Sequence, residues 1–457
     1  MINVCIYGAG SAGSTLASSM SRTSKYNLIA IFDSDSSVIG SIISGHVVQD
    51  GRVFLDSYLS KNEIHTVILS TQKFDPEFAL SVFLKCKNTG VELKVINDFS
   101  LTHGKLSVDK LHSFEPTDLL GRTEKTRENI DELKSFFWGK SVLITGAVGS
   151  IGLELVAQVS AFGPCRIIMN DINENSLYLE SIALKRYFPE VEYITVVGSF
   201  FDDLILDKIF SQGIDYCAHC AAFKHVPLMQ DQPALALKNN TFGTIKLARR
   251  CIDESVKAFS FVSTDKAVNP TSYMGASKRL AEIAILDIAK DSKCRFTITR
   301  FGNVLGSNGS VVPIFQRLIN EGRNLTLTHP EVTRYFMSIS EAVHLILQVA
   351  VFGSSDYIYV LKMGSEIKLL DLARNMIDLS GKVGIDIDIV GLRPGEKLYE
   401  ELFYSNDNFE SDFSDDVLCA SDSLGDSIGA SEIIRLCGDG DLDDNSAALI
   451  FSDLIMK

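Results

Sequence analysis

Short apolar runs alternate along the chain with longer stretches in which an apolar residue recurs every three or four positions. The first run, "INVCIYGAGSAGSTLASSM", opens as a strand, passes through Gly8-x-Gly10-x-x-Gly13 and continues with helical spacing. "YNLIAIFDSD", "HTVILST" and "ELKVIND" then read as strands, separated by helix-like stretches such as "PEFALSVFLKCKN". Such a βαβ rhythm predicts a doubly wound parallel sheet. A second start, "KSVLITGAVGSIGLELVAQV", repeats the strand, glycine turn and helix, and leads into "CRIIMND", "VEYITVVG", "IDYCAHCAAF", "KAFSFVST" and "FTITRFGNV". The expected architecture is therefore α/β with two Rossmann-like units, residues 1–105 and 139–409. Residues 106–138 read as a charged connector with one helix, and residues 410–457 as an acidic C-terminal segment.

Both glycine turns have the form that lets backbone approach a pyrophosphate while a helix N-terminus offers its N–H groups and positive dipole end. In the second, Thr145-Gly146-x-x-Gly149-x-x-Gly152 spans Ser150 and Ile151, and Asp171 ends the following strand. An acid there suits the free hydroxyls of an adenosine ribose and repels a 2′-phosphate; no arginine follows closely, which favours NAD over NADP. The first turn has the same layout, with Asp33 ending its second strand. That loop is either a nucleotide site or a turn that merely packs helix on strand.

Composition narrows the field. The net charge, 43 − 58 = −15, opposes nonspecific affinity for nucleic acid or an anionic membrane surface. No apolar run approaches the ~20 residues of a membrane helix. The nine cysteines lack a disulfide or zinc spacing, and "IDYCAHCAAF" reads as a strand with structural thiols. A reducing cytoplasm is expected. Residues 410–444 hold eleven acids against one arginine and read as an acidic surface.

Ligands of open α/β sheets bind beyond the carboxyl ends of the strands. Three segments fall there: "AAFKHVPLM", "STDKAVNPTSYMGASKRLAE" and "RFGNVLGSNGSVVPIF". The second places a carboxyl group, Asp265, beside an amine, Lys266, directly after a strand. That is either an acid/base pair or a loop salt bridge. The helix pair Asn239 and Asn240 has side chains suited to supporting cofactor or active-site backbone.

Together "TGAVGSIG", "AAFKHVPL", "STDKAVNPT", "MGASKRLAE", "RFGNVLGSNGSVVPIF", "HPEVTRYFM" and "LRPGEKLYEEL" resemble the nucleotide-sugar 4,6-dehydratases of bacterial glycan synthesis. These are extended short-chain dehydrogenase/reductases, and the resemblance covers roughly residues 117–405. "IYGAGSAG" resembles the extra N-terminal domain of their larger members, many of which also carry four membrane helices that this chain lacks. The resemblance implies a small substrate-binding subdomain largely within 300–409. It also implies tightly held NAD, a UDP-N-acetylhexosamine substrate and a homo-oligomer built through helices flanking the second sheet. The implied reaction is internal redox: hydride leaves carbon 4, water is lost across carbons 5 and 6, and hydride returns to carbon 6.

Carried over motif by motif, Lys266 is the base at carbon 5, Asp265 the acid for the carbon-6 hydroxyl, and Thr264 a contact near carbon 4. Lys278 binds the nicotinamide ribose; Ala221, Ala222 and Lys224 join the cofactor site, and Lys224 and His225 line it toward the sugar. Asn303 contacts sugar or diphosphate, Arg334 and Arg393 the diphosphate, and Glu396 the uridine ribose. Met274 stands four residues before Lys278, where the wider group has its tyrosine. A thioether cannot take the carbon-4 proton, and the larger members commonly carry methionine there. Tyr273, offset by one residue, is rotated ~100° from the face of Lys278. Ser199 departs from the aspartate by which relatives contact adenine. The expected enzyme is a carbon-5-retaining UDP-N-acetylglucosamine 4,6-dehydratase. A carbon-5-inverting dehydratase and a catalytically idle NAD or nucleotide sensor are the alternatives.

Overall fold

The computed structural model describes residues 1–20, 25–70, 76–95, 112–113, 129–404, 408–414, 416–421, 430–437 and 442–455. Most of the expected connector, residues 106–111 and 114–128, lies outside these. Its expected helix is present as Ile130–Phe137, which buries Leu133 and Phe137. The chain forms two compact units. The first comprises Met1–Lys125 with Phe315–Arg323 and Leu372–Asp386; the second comprises Thr126–Ile314, Asn324–Asp371 and Ile387–Lys457. Two short pieces of the 300–409 stretch thus belong to the first unit, where Lys87 Nζ donates to the carbonyls of Asp378 and Leu379.

In the first unit the strands are β1 (Ile2–Tyr7), β2 (Tyr26–Asp33), β3 (Ile42–Ile43), β4 (His46–Asp50), β5 (Thr66–Leu69), β6 (Glu92–Val95) and β7 (His112–Ser113). Their order is β3-β4-β2-β1-β5-β6-β7. The five central strands pair in parallel, while β3 and β7 are short antiparallel edges. Central strands read as unbroken apolar runs because helices cover both faces; Val4, Cys5 and Ile6 have no exposed surface.

The second unit contains β8 (Ser141–Thr145), β9 (Arg166–Asp171), β10 (Glu192–Val197), β11 (Tyr216–His219), β12 (Ala258–Val262), β13 (Arg295–Arg300), β14 (Ile358–Leu361), β15 (Asn408–Ser414) and β16 (Val417–Ser421). The order is β10-β9-β8-β11-β12-β13-β14-β16-β15. The first six strands have the doubly wound 3-2-1-4-5-6 order, whose reversal between β8 and β11 opens a crevice at the strands' carboxyl ends. β14 extends the parallel sheet, and β16 and β15 close it with antiparallel pairings.

The acidic segment is therefore not only surface. It supplies two strands and the helices Ala430–Cys437 and Asp444–Ile455, with Ile433, Ala447 and Phe451 buried against helix Tyr273–Ala289. Aspartates and glutamates between these positions hid an amphipathic pattern. Residues 422–429 and 438–441 of this segment lie outside the described ones.

Candidate active site

In the second unit a cleft of about 510 Å³ runs along the carboxyl ends of β8, β11, β12 and β13. One end is the glycine turn. Gly146 has φ +67° and lies so close to the Cys220–Ala221 backbone that a β-carbon would stand 2.7 Å from the Ala221 nitrogen. A β-carbon on Gly152 would stand 2.0 Å from the Gly146 carbonyl oxygen, so only glycine lets helix Ser150–Ala161 start this near the strand. Asp171, at the end of β9, accepts the amides of Val148 (3.2 Å) and Asn173 (3.0 Å). Each carboxylate oxygen keeps a further lone pair for a ligand hydroxyl. This cradle, helix N-terminus and carboxylate fit a dinucleotide with unphosphorylated ribose. Gly146, Gly149, Ser150, Ile151, Gly152, Ala222, Lys224 and Lys278 face the cleft, while Ala221 supports the turn from behind.

The Thr264–Lys266 turn follows β12. Thr264 Oγ1 donates to Asp265 Oδ1 at 2.9 Å, and Lys266 Nζ reaches the same oxygen at 2.9 Å. Asp265 is fully buried, and its other oxygen, Oδ2, has no hydrogen-bond partner among the described residues. A second carboxylate, Glu400, lies 3.3 Å from Lys266 Nζ. Burial alone would lower the Lys266 pKa, but Asp265 and Glu400 outweigh it and hold it above the ordinary lysine value. Lys266 therefore rests as an ammonium.

Helix Tyr273–Ala289 is capped by Ser272, whose hydroxyl accepts the Gly275 amide at 3.1 Å, and is regular from its first residue. Gly275 lets the helix press on the Thr264–Lys266 turn: a β-carbon there would lie 2.2 Å from the Lys266 carbonyl oxygen. Met274 and Lys278 both face the cleft. Lys278 Nζ donates to the Val262 carbonyl at 2.7 Å and sits 3.8 Å from the Phe261 ring centroid; burial pushes its pKa down to about 7. Tyr273 turns elsewhere and stacks on Phe451, with centroids 5.3 Å apart.

Asn240 is buried in a π-helical turn, Leu237–Phe242, of the kind often found at functional sites. Its side chain bonds both the N–H and the C=O of Phe223 and also Ser277, tying the Lys224 loop to the Lys278 helix. Lys224 and His225 are exposed on that loop; partial desolvation by the cleft walls lowers both pKa values, and the Lys224 charge lowers that of His225 further. Asn303 lines the cleft opposite, its amide held by the Tyr335 carbonyl.

A neighbouring cavity of about 160 Å³ shares Lys266 and is lined by Arg334, Arg393, Glu396 and Glu400. Arg393 is exposed there. The Arg334 fork also bonds within the protein: it donates to the carbonyls of Thr333, Leu398 and Lys397, lies 3.4 Å from Glu396, and its Nε lies 3.6 Å from Glu400. Glu396 likewise accepts from Thr328 and from the Arg393 amide. Residues 395–404 clamp the segment after Thr264: Lys397 reaches the Val268 carbonyl, Thr271 the Gly395 carbonyl, and the Tyr404 hydroxyl the Ala267 carbonyl.

Behind the turn lies a buried charge cluster that sequence reasoning missed. Glu282 accepts from Ser263 (2.6 Å), Arg300 (2.7 and 2.5 Å) and Arg279 (3.1 Å). Glu400 was also missed. Its only signal was its place in the "KLYEEL" run beside an otherwise exposed glutamate.

Fold and cleft define an extended short-chain dehydrogenase/reductase. The profile of the family described as "Polysaccharide biosynthesis protein" matches residues 142–422, and the chain belongs to that family. It is 38% identical over 411 residues to the capsular polysaccharide biosynthesis protein CapD of Staphylococcus aureus, covering 88% of this chain and 68% of that one. It is 33% identical over 282 residues to a UDP-N-acetylglucosamine 4,6-dehydratase (inverting) of Campylobacter jejuni, covering 60% of this chain and 80% of that one. The X-ray structure of Pen from Bacillus thuringiensis is similar at 32% identity and TM-score 0.59, covering 63% of this chain and 91% of that chain. Among the described residues no helix is long and apolar enough to cross a membrane.

Proposed function

We propose that the protein is a cytoplasmic, NAD-dependent UDP-N-acetylglucosamine 4,6-dehydratase that retains configuration at carbon 5 and acts in glycan synthesis as a homo-oligomer. The observation that carries the reading is the Thr264–Asp265–Lys266 cluster on the cleft, with methionine rather than tyrosine facing it from the helix. NAD bound between the glycine turn and Lys278 would supply a hydride acceptor at carbon 4 and a donor at carbon 6.

The proton inventory closes on this chain's own groups and solvent. At rest the Lys266 ammonium lies 2.9 Å from Asp265 Oδ1. As carbon 4 is oxidised, its hydroxyl proton passes to Thr264 while Thr264 gives its own proton to Asp265 Oδ1. Lys266, which lines the open cleft, releases a proton to solvent and becomes a neutral amine. The new 4-keto group acidifies carbon 5, whose proton Lys266 takes, and Asp265 protonates the carbon-6 hydroxyl so that it leaves as water. When carbon 6 has been reduced, Lys266 returns its proton to carbon 5 from the same side, which retains configuration. Lys266 then regains a proton from solvent, which restores the resting ammonium.

Purified protein incubated with UDP-N-acetylglucosamine, without added cofactor, should form a 4-keto-6-deoxy sugar that NMR identifies as the xylo isomer. The named activity of the Campylobacter relative favours a second reading, carbon-5 inversion, and an arabino product would select it. No 4-keto product despite bound NAD would overturn both and favour a nucleotide sensor. Lys266→Ala should abolish turnover with NAD still bound, whereas Tyr273→Phe should change it less than twofold.

A further inference from the structure

The first unit repeats the geometry of the second unit's cofactor cradle. Its sheet has the same parallel core order, with the reversal between β1 and β5. Gly8, φ +115°, ends β1 as Gly146 ends β8. A β-carbon on Gly13 would lie 1.8 Å from the Gly8 carbonyl oxygen, as one on Gly152 would from Gly146. Asp33 accepts the Ala9 amide (2.6 Å) and the Asp35 amide (2.9 Å), as Asp171 accepts those of Val148 and Asn173.

A turn and a helix start do not by themselves bind anything. The independent observation is Ser70, at the carboxyl end of β5 beside the reversal. It is 2% exposed, and its hydroxyl has no hydrogen-bond partner among the described residues. That hydroxyl stands 3.5 Å from where a β-carbon of Gly13 would be, against the first turn of helix Ser11–Met20. A buried hydroxyl left unpaired is costly, and a ligand oxygen would satisfy it. The matched family profile begins at residue 142, beyond the Met1–Lys125 part of this unit that carries the turn.

We propose that the N-terminal unit holds a second nucleotide site, for a nucleoside diphosphate with free ribose hydroxyls. The helix N-terminus and Ser70 take phosphate oxygens, and Asp33 takes the ribose. No cation stands among Ser34, Asp35, Ser36 and Ser37 to accept a 2′-phosphate.

Equilibrium dialysis of the full chain tests this, with NAD+ in one arm and UDP in the other. Nucleotide released on denaturing the isolated protein is added to each total. Gly10→Asp places a carboxylate before the helix where an added β-carbon meets nothing within 4 Å, so it burdens the phosphates rather than the fold. Asp33→Asn acts on the ribose. Each variant should bind one equivalent less than wild type in one arm, and that arm names the base. Equal totals for wild type and both variants in both arms would overturn the proposal. The dehydratase reading stands or falls separately, because these variants leave the second unit untouched.

Discussion

Replacing Glu282 by glutamine removes one charge from the most enclosed ion cluster in the second unit. Glu282 has no exposed side-chain surface, and its partners Arg300 and Arg279 are 1% and 7% exposed. A single carboxylate therefore serves two guanidiniums and the Ser263 hydroxyl. Glutamine keeps the shape but turns donor hydrogens toward cations and removes the buried negative charge that faces Arg300 and Arg279. Removing one member of a buried pair costs about 3–5 kcal/mol. At about 2 °C per kcal/mol for a unit of this size, the midpoint should fall by roughly 6–10 °C. The chain's single tryptophan, Trp138, lies in the second unit, so urea unfolding followed by its fluorescence reads that unit. Burial alone would raise the Glu282 pKa, but Arg300 and Arg279 outweigh it and hold it below the ordinary value. The stabilisation is therefore present above the unfolded glutamate pKa and lost as pH falls toward the folded value. The gap between wild type and Glu282→Gln should narrow below about pH 4. A loss under about 1 kcal/mol at neutral pH would refute the reasoning.

Glu400→Gln removes one of the two carboxylates that raise the Lys266 pKa, so the pH–rate limb governed by Lys266 should move to lower pH; reduced activity with an unmoved limb would make Glu400 purely structural. Lys278 in cofactor-free protein should titrate near pH 7, its reactivity toward an amine-acylating reagent rising as pH increases through that value; a midpoint near the ordinary lysine value would contradict its burial. Gly275→Ala should lower turnover at least tenfold while the protein stays folded by circular dichroism, because the added methyl meets the Lys266 carbonyl rather than a movable side chain.

Much of the site was legible in the chain. Met274 and Lys278 face one cleft because four residues make about one helical turn, and Tyr273 leaves that face for the same reason. Both glycine turns and both strand-end acids were readable because a positive φ or a near-contact admits only glycine, and the strand–turn–helix unit fixes where the acid falls. Sequence reasoning gave Arg334 and Glu396 to the substrate. In the structure their polar groups are largely engaged with the 393–400 loop, an arrangement no local spacing encodes.

Sequence by itself determined the two doubly wound sheets and the order of motifs along the second, since periods of two and of 3.6 residues are local properties. Tertiary structure alone decided that Glu400 sits beside Lys266, 134 positions earlier, that the acidic segment completes the sheet through β16, and that Ser70 meets Gly13. Such contacts depend on strand order and loop path, and burial in the folded interior gives them their energy. An ion pair on the surface is worth little; the same carboxylate enclosed beside Lys266 joins Asp265 in holding that amine's pKa above its ordinary value.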